Sequence, residues 1–341
     1  MVSADDDRVR FLAASDPTEL HVFELGIADS TVRPLTTAPG IHRAVAGARA
    51  VVIVSATLDR NGTEAEVHPA GGAEPLTIAS HAETPLRSPH PQLQVVSRRD
   101  LRVAVLHPER APDGPLPVLL DPYGGPHALR VQSARAAFGP SQWFADQGFV
   151  VIVADGRGTP MRGPAWERAV QGDLAGPPLD DQIEALHAVA EHDERLDLSR
   201  VAIRGWSFGG YLAALAVLRR PDVFHAAVAG APVTDWRLYD THYTERYLGN
   251  PSEVPEHYDT TSLLPLAPDL ARPLMLIHGL ADDNVVAAHT LQLSRALLEA
   301  GRPHEVLPLS GVTHMTPQES VAENLLLLQV DFLRRSLARS D

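Results

Sequence analysis

Residues 205–211 read Gly-Trp-Ser-Phe-Gly-Gly-Tyr, which places Ser207 between glycines two positions to either side. The stretch 201–204 before it reads as a strand and 211–218 after it as a helix. A serine on such a turn forms a nucleophile elbow, with its hydroxyl exposed at the rim of a sheet and small neighbours where the chain doubles back. A Gly-rich strand-to-helix turn also arises by chance, so the serine needs partners. Its hydroxyl is a weak nucleophile until a base takes the proton and an acid orients that base. The run His278-Gly-Leu-Ala-Asp282-Asp283-Asn284-Val285 follows a predicted strand at 273–278, and Ser310-Gly-Val-Thr-His314 follows one at 304–309. Ser207, Asp282 and His314 therefore come in the chain order of α/β-hydrolases, each just past a strand end and so on one rim. A developing oxyanion needs donors, and the backbone N–H of Phe208, next after the serine, is the first. For a second, the turn Asp121-Pro-Tyr123-Gly-Gly-Pro126 offers the Tyr123 hydroxyl, which reads equally as a buried structural tyrosine.

These residues need a scaffold, and from about residue 101 strand-like and helix-like patterns alternate, as in an α/β fold with a largely parallel sheet. Strands are expected near 101–106, 117–121, 149–154, 201–204, 226–230, 273–278 and 304–309. The run 149–154 is apolar throughout, the mark of a central strand covered on both faces. Ile183, Leu186 and Ala190 predict a packing helix over 180–194, and Val321, Leu325, Leu328, Phe332 and Leu333 another over 317–338. The second of these reads equally as a core helix or as the face of a homodimer. Residues 85–91 and 108–117 are Pro-rich and read as a linker and a hairpin turn. Before residue 91 the apolar runs are short (9–14, 20–25, 51–55, 76–79), and Asp59-Arg60-Asn61-Gly62 is hairpin chemistry. The expected division is an all-β segment over 1–95, of six or so strands, and an α/β domain over 96–341.

Among 341 residues, 29 are basic and 43 acidic, a net charge of −14 that disfavours nucleic acid and anionic membranes as partners. The absence of cysteine excludes disulfides, thiolate zinc sites, iron–sulfur clusters and a cysteine nucleophile. No apolar run approaches the roughly 18 residues of a spanning helix, and Asp5, Asp6 and Asp7 stand where a secretory leader would be basic and then apolar. A cytoplasmic protein is expected. There is no Gly-x-x-x-x-Gly-Lys phosphate loop, no His-Glu-x-x-His, and no dinucleotide spacing at 205–210, so no cofactor is expected. His187 and His192, on one predicted helix, read as solvated rather than as metal ligands, and no metal is expected.

The elbow at 205–211, the acid loop at 278–285, Asp-Gly-Arg-Gly at 155–158 and Ala-Pro-Val-Thr-Asp-Trp at 231–236 together resemble the prolyl oligopeptidase family, best its dipeptidyl peptidase IV branch. The resemblance covers about residues 100–341, and the N-terminal part is similar to the last stretch of that family's β-propeller. It implies an α/β-hydrolase fold, a triad of Ser207, Asp282 rather than Asp283, and His314, and an oxyanion hole of Tyr123 with the Phe208 amide. It further implies that Trp236, Tyr239, Tyr243, Val233 and Val285 line a pocket for the residue before the cut bond. Flat apolar walls suit a proline ring, which is compact and lacks an N–H. Arg246 and Asn284 match positions that order the pocket and steady the substrate's backbone carbonyl. The implied activity is a serine peptidase that cuts peptides after proline or alanine near their N-terminus, through an acyl-enzyme. A carboxylesterase or acylaminoacyl-peptidase-like hydrolase, or an inactive fragment, would share the same motifs. In that branch two adjacent glutamates from the propeller side bind the substrate amine, and residues 1–100 contain no Glu-Glu pair. The chain then reads as the catalytic part of a longer protein, as an enzyme that takes its propeller from a second chain, or as a shortened enzyme.

Overall fold

The computed structural model describes residues 2–110, 112–316 and 318–338. The chain forms two compact units, one of Met1–Leu93 with Val131–Gln142, the other of Gln94–Arg130 with Trp143–Asp341.

The first unit holds two four-stranded antiparallel sheets: β1 (Ser3–Ala4), β2 (Arg8–Ala13), β3 (His21–Gly26) and β4 (Val32–Pro34), then β5 (Ile41–Ala46), β6 (Ala50–Ala56), β7 (Glu64–Pro69) and β8 (Leu76–Ile78). Strands β6 and β7 pair from Ala50↔Pro69 to Ser55↔Glu64, and Gly62 in their connection has φ +74°. Eight strands stand where six or so are expected, because β1 and β4 are only two or three residues long and leave no apolar run to read. The segment Val131–Gln142 belongs to this unit although it interrupts the α/β pattern. Ser133 N–H donates to Thr18 O at 2.7 Å and Arg135 N–H to Thr57 O at 3.0 Å. Such backbone pairing over 75 or more residues of sequence leaves no local signature.

The second unit is built on an eight-stranded sheet of β9 (Gln92–Val96), β10 (Leu101–Leu106), β11 (Leu116–Leu120), β12 (Val150–Asp155), β13 (Leu196–Trp206), β14 (Ala226–Gly230), β15 (Leu274–Gly279) and β16 (Glu305–Leu309). Their order is β16-β15-β14-β13-β11-β12-β10-β9, with β11 to β16 mutually parallel and β10 antiparallel to β12. This is the α/β-hydrolase fold. Residues 108–117 are therefore not a hairpin turn: β12 lies between β10 and β11, so the Pro-rich connection carries the chain past the position that a later strand fills.

Every residue of β12, β14 and β15 is buried, as parallel strands covered by helices require. Helix Phe208–Arg219 packs on β13 and β14, Gly176–Ala190 on β12, Ala288–Glu299 on β15 and Glu319–Ser336 on β14. The helix expected at 180–194 begins earlier, at Gly176, because two prolines suit its first turn, where no N–H is needed. The last helix buries Leu325, Gln329, Val330, Phe332 and Leu333, whereas Leu328, expected on the packed face, is exposed beside Leu327. Pro317, the expected start of that helix, lies outside the described residues. No helix among the described residues is long and apolar enough to cross a membrane.

The motif Asp-Gly-Arg-Gly at 155–158 is spent on this scaffold. Arg157 binds Asp181 of helix Gly176–Ala190 through its side chain at 2.8 and 3.0 Å and through its backbone N–H at 2.6 Å. Asp155 accepts the Arg130 N–H at 2.9 Å, while Arg130 and Arg204 side chains share Asp121 at 3.0 and 2.7 Å. The ends of β11, β12 and β13 are thereby tied together just below the turns that carry Tyr123 and Ser207.

Candidate active site

Ser207 directly follows β13 with φ +59° and ψ −118°, a conformation L residues rarely adopt and one that the elbow requires. Two glycines make it sterically feasible. A Cβ on Gly205 would lie 2.2 Å from Gly209 O, and one on Gly209 would lie 2.6 Å from Pro122 O. The second contact seats the Tyr123 turn directly on the start of helix Phe208–Arg219. Tyr123 and Phe208 rings stand 5.8 Å apart, so the two expected oxyanion donors belong to neighbouring residues of one packed unit. Burial pushes the Tyr123 phenol up to about 12, with nearby Tyr239 and Tyr247 adding to the effect, so it is a neutral donor at any ordinary working pH.

Asp282 follows β15 and is buried. Its Oδ1 accepts the N–H groups of Asn284 at 3.0 Å and Val285 at 2.9 Å, and its Oδ2 accepts His314 Nδ1–H at 2.8 Å. Asp283, its neighbour in sequence, is exposed. The loops bearing Asp282 and His314 are laced together, for Leu280 N–H donates to Leu309 O at 2.9 Å and Ala281 N–H to Val312 O at 3.0 Å. Gly279 permits that approach, since a Cβ there would meet Val312 O and Thr313 O at 2.4 Å. With Nδ1 carrying the proton, His314 Nε2 is left as a lone-pair acceptor. No hydrogen bond joins it to Ser207 Oγ among the described residues. The link between the two is instead made one residue away, where Trp206 Nε1–H donates to His314 O at 2.7 Å.

Two further residues of this arrangement have no signal in the motif pattern. Trp206 occupies a variable position of G-x-S-x-G, and its role depends on a partner 108 residues away. His278 is buried behind the acid loop: its Nε2–H donates to Val285 O at 2.7 Å and Nδ1 meets Thr290 Oγ1 at 2.7 Å. Burial lowers the His278 pKa, keeping it a neutral brace for the chain that Asp282 caps.

The aromatic residues of 236–247 form one cluster. Trp236 and Tyr243 stack at 6.0 Å and 17°, Tyr239 meets both edge-on at 6.0 and 5.5 Å, and Trp236 reaches Phe208 at 5.7 Å. Val233, Val285 and Trp236 are buried, while Tyr239 and Tyr243 are half-buried. Tyr239 Oη–H donates to Asn284 Oδ1 at 3.1 Å, which fixes the Asn284 amide with its N–H groups free to donate. Arg246 is exposed and makes no hydrogen bond or ion pair among the described residues, while the hydroxyl of the adjacent Tyr247 reaches His127. Among the described residues no group of three or more His, Asp or Glu side chains is placed to hold a metal ion.

The model of the prolyl oligopeptidase family matches residues 138–340. The chain belongs to that family. Its relatives place it in the dipeptidyl peptidase IV branch. Dipeptidyl peptidase 8 of Homo sapiens is 38% identical over 229 residues, which cover 65% of this chain and 25% of that protein. The probable dipeptidyl-aminopeptidase B of Coccidioides posadasii is 33% identical over 310 residues, 84% of this chain and 33% of that protein. The crystal structure of Porphyromonas gingivalis dipeptidyl peptidase 4 is similar with a TM-score of 0.89 and 27% identity, over 98% of this chain and 49% of the other. This prolyl oligopeptidase family chain thus spans a quarter to a half of the length of these relatives.

Proposed function

We propose that the chain carries the catalytic domain of a serine peptidase that cuts after proline or alanine. The observation that carries this reading is the buried Asp282, held by two backbone amides and bound to His314 at 2.8 Å, on the same sheet rim as the strained Ser207. In the proposed reaction His314 Nε2 takes the Ser207 proton as Oγ attacks the scissile carbonyl. The Phe208 N–H and Tyr123 hydroxyl receive the oxyanion, and Asp282 stabilises the imidazolium. His314 then protonates the leaving amine, and water hydrolyses the acyl-enzyme with His314 again as base. Trp236, Tyr239, Tyr243, Val233 and Val285 would enclose the pyrrolidine ring, a group with no N–H to satisfy. The free Asn284 amide would bind the carbonyl preceding it.

The relatives' names support release of dipeptides, which requires recognition of a free amine. The test compares a Gly-Pro chromogenic anilide with its amine free and with the amine blocked. Faster cleavage of the free form is expected for a dipeptidyl peptidase. Equal or better cleavage of the blocked form would make the chain an endopeptidase-like or esterase-like hydrolase instead. Ser207→Ala should remove the activity by several orders of magnitude. Substantial turnover by that variant would show the nucleophile to be another residue.

A further inference from the structure

We propose that His127 is a specificity-determining positioning residue, which fixes one wall of the aromatic pocket to the oxyanion loop; the inference rests on the peptidase reading above. His127 lies four residues beyond Tyr123, on the same loop, with φ +73°. A non-glycine residue seldom adopts this left-handed backbone unless its surroundings hold it there. What holds it is the pocket. Its Nε2 shares a hydrogen bond with the Tyr247 hydroxyl at 2.9 Å, and its ring meets Tyr247 edge-on at 5.9 Å and lies tilted on Tyr243 at 5.4 Å.

Tyr243 depends on such neighbours. Its hydroxyl is buried without a hydrogen-bond partner, so no bond of its own sets the ring. Its position follows from Trp236 at 6.0 Å, Tyr239 at 5.5 Å, Tyr247 at 5.0 Å and His127 at 5.4 Å. Trp236 is itself buried in the core. The movable members are Tyr247, on the half-exposed face of helix Thr241–Leu248, and its anchor is His127. Loss of that anchor frees the Tyr243–Tyr247 wall from the loop that aims Tyr123. A pyrrolidine ring, bulkier than an alanine methyl, would depend more on the position of that wall. A difference of one methylene in an apolar pocket is worth about 10- to 200-fold in discrimination, and a loosened wall forfeits part of it.

The test is the ratio of kcat/KM for prolyl and alanyl anilides that are otherwise identical. His127→Ala and Tyr247→Phe should each lower this ratio about fivefold, mainly through a higher KM for the prolyl substrate. The double variant should fall no further than His127→Ala alone, because Tyr247→Phe removes only the hydrogen bond that His127→Ala has already deleted. His127→Gln, whose amide keeps both a donor and an acceptor at similar reach, should stay within about twofold of the wild-type ratio. Fluorophosphonate labelling of Ser207 reports that each variant is folded, and should His127→Ala fail it, Tyr247→Phe carries the same expected ratio. Cleavage with an unchanged ratio in His127→Ala or Tyr247→Phe, or losses that multiply in the double variant, would overturn the inference alone. Wild-type protein that cleaves neither anilide would overturn the peptidase reading and this inference with it.

Discussion

Replacing Asp282 by asparagine keeps the shape of the side chain and changes what it can offer to three hydrogen-bond partners. Two of them, the N–H groups of Asn284 and Val285 at 3.0 and 2.9 Å, need an acceptor; the third is His314 Nδ1 at 2.8 Å. If the amide turned its nitrogen toward the two backbone groups, both donors would lose their acceptor at roughly 1–3 kcal/mol each. The amide oxygen therefore stays with them, and the amide N–H faces His314. The imidazole must answer with a lone pair at Nδ1, which moves its proton to Nε2, and an Nε2–H cannot accept the Ser207 proton. A wrong tautomer in an otherwise intact triad costs about 10,000-fold in kcat, or about 5.4 kcal/mol at about 1.36 kcal/mol per decade. The assay is kcat on a prolyl anilide, with thermal unfolding alongside to show that the two retained backbone bonds keep the loop folded. Asp283→Asn is the control, since that side chain is exposed, and it should stay within about twofold. Residual kcat above about 1% in Asp282→Asn, or an equal loss in Asp283→Asn, would refute the reasoning.

Tyr123→Phe should lower kcat by about 100- to 1,000-fold with little change in KM, as for removal of one oxyanion donor; a loss below about threefold would leave the second donor unassigned. Trp206→Phe deletes the 2.7 Å bond to His314 O and about 1 kcal/mol of positioning, so kcat should fall about fivefold or more at constant KM. A change confined to KM would place Trp206 in substrate binding instead. Acid stability should depend on His289, which is buried and accepts the Thr234 N–H at 3.1 Å through Nδ1. Burial, helped by nearby His278, pulls its pKa from 6.5 down to about 4. The unfolded chain takes up this proton as pH falls below its unfolded value of 6.5 while the folded protein refuses it, so stability drops by roughly 3 kcal/mol between pH 6.5 and 4 and levels off below. Urea unfolding at pH 7, 5 and 4 should show that decline in the wild type and a shallower one in His289→Gln; equal slopes in the two would rule the histidine out.

Much of the arrangement is legible in the chain because parallel α/β sheets advertise themselves. Continuous apolar runs such as 149–154 mark buried strands, and a polar or glycine-rich turn after each marks the rim on which chemistry is built. That grammar points to Ser207, to an acid at 282 or 283 and to His314, and the family resemblance singles out Asp282 of the two acids. The short strands β1 and β4 escape it, because two or three residues carry no period. Leu328 misleads by helical spacing, which identifies a face of a helix without saying where the packed stripe stops.

What the sequence by itself determines is therefore the order of elements, the elbow and the identity of the groups that follow strand ends. Their local cause is steric and hydrophobic, and each is written within about ten neighbouring residues. What only the tertiary structure decides is partnership at long range. It inserts β12 between β10 and β11, assigns Val131–Gln142 to the β-sheet unit, and buries Asp282 against His314 while leaving Asp283 in solvent. It joins Trp206 to His314 and His127 to Tyr247, pairs separated by 108 and 120 residues. The physical reason is one: hydrogen bonds and ring contacts depend on distance in space, and the chain brings these groups together only when its core has closed.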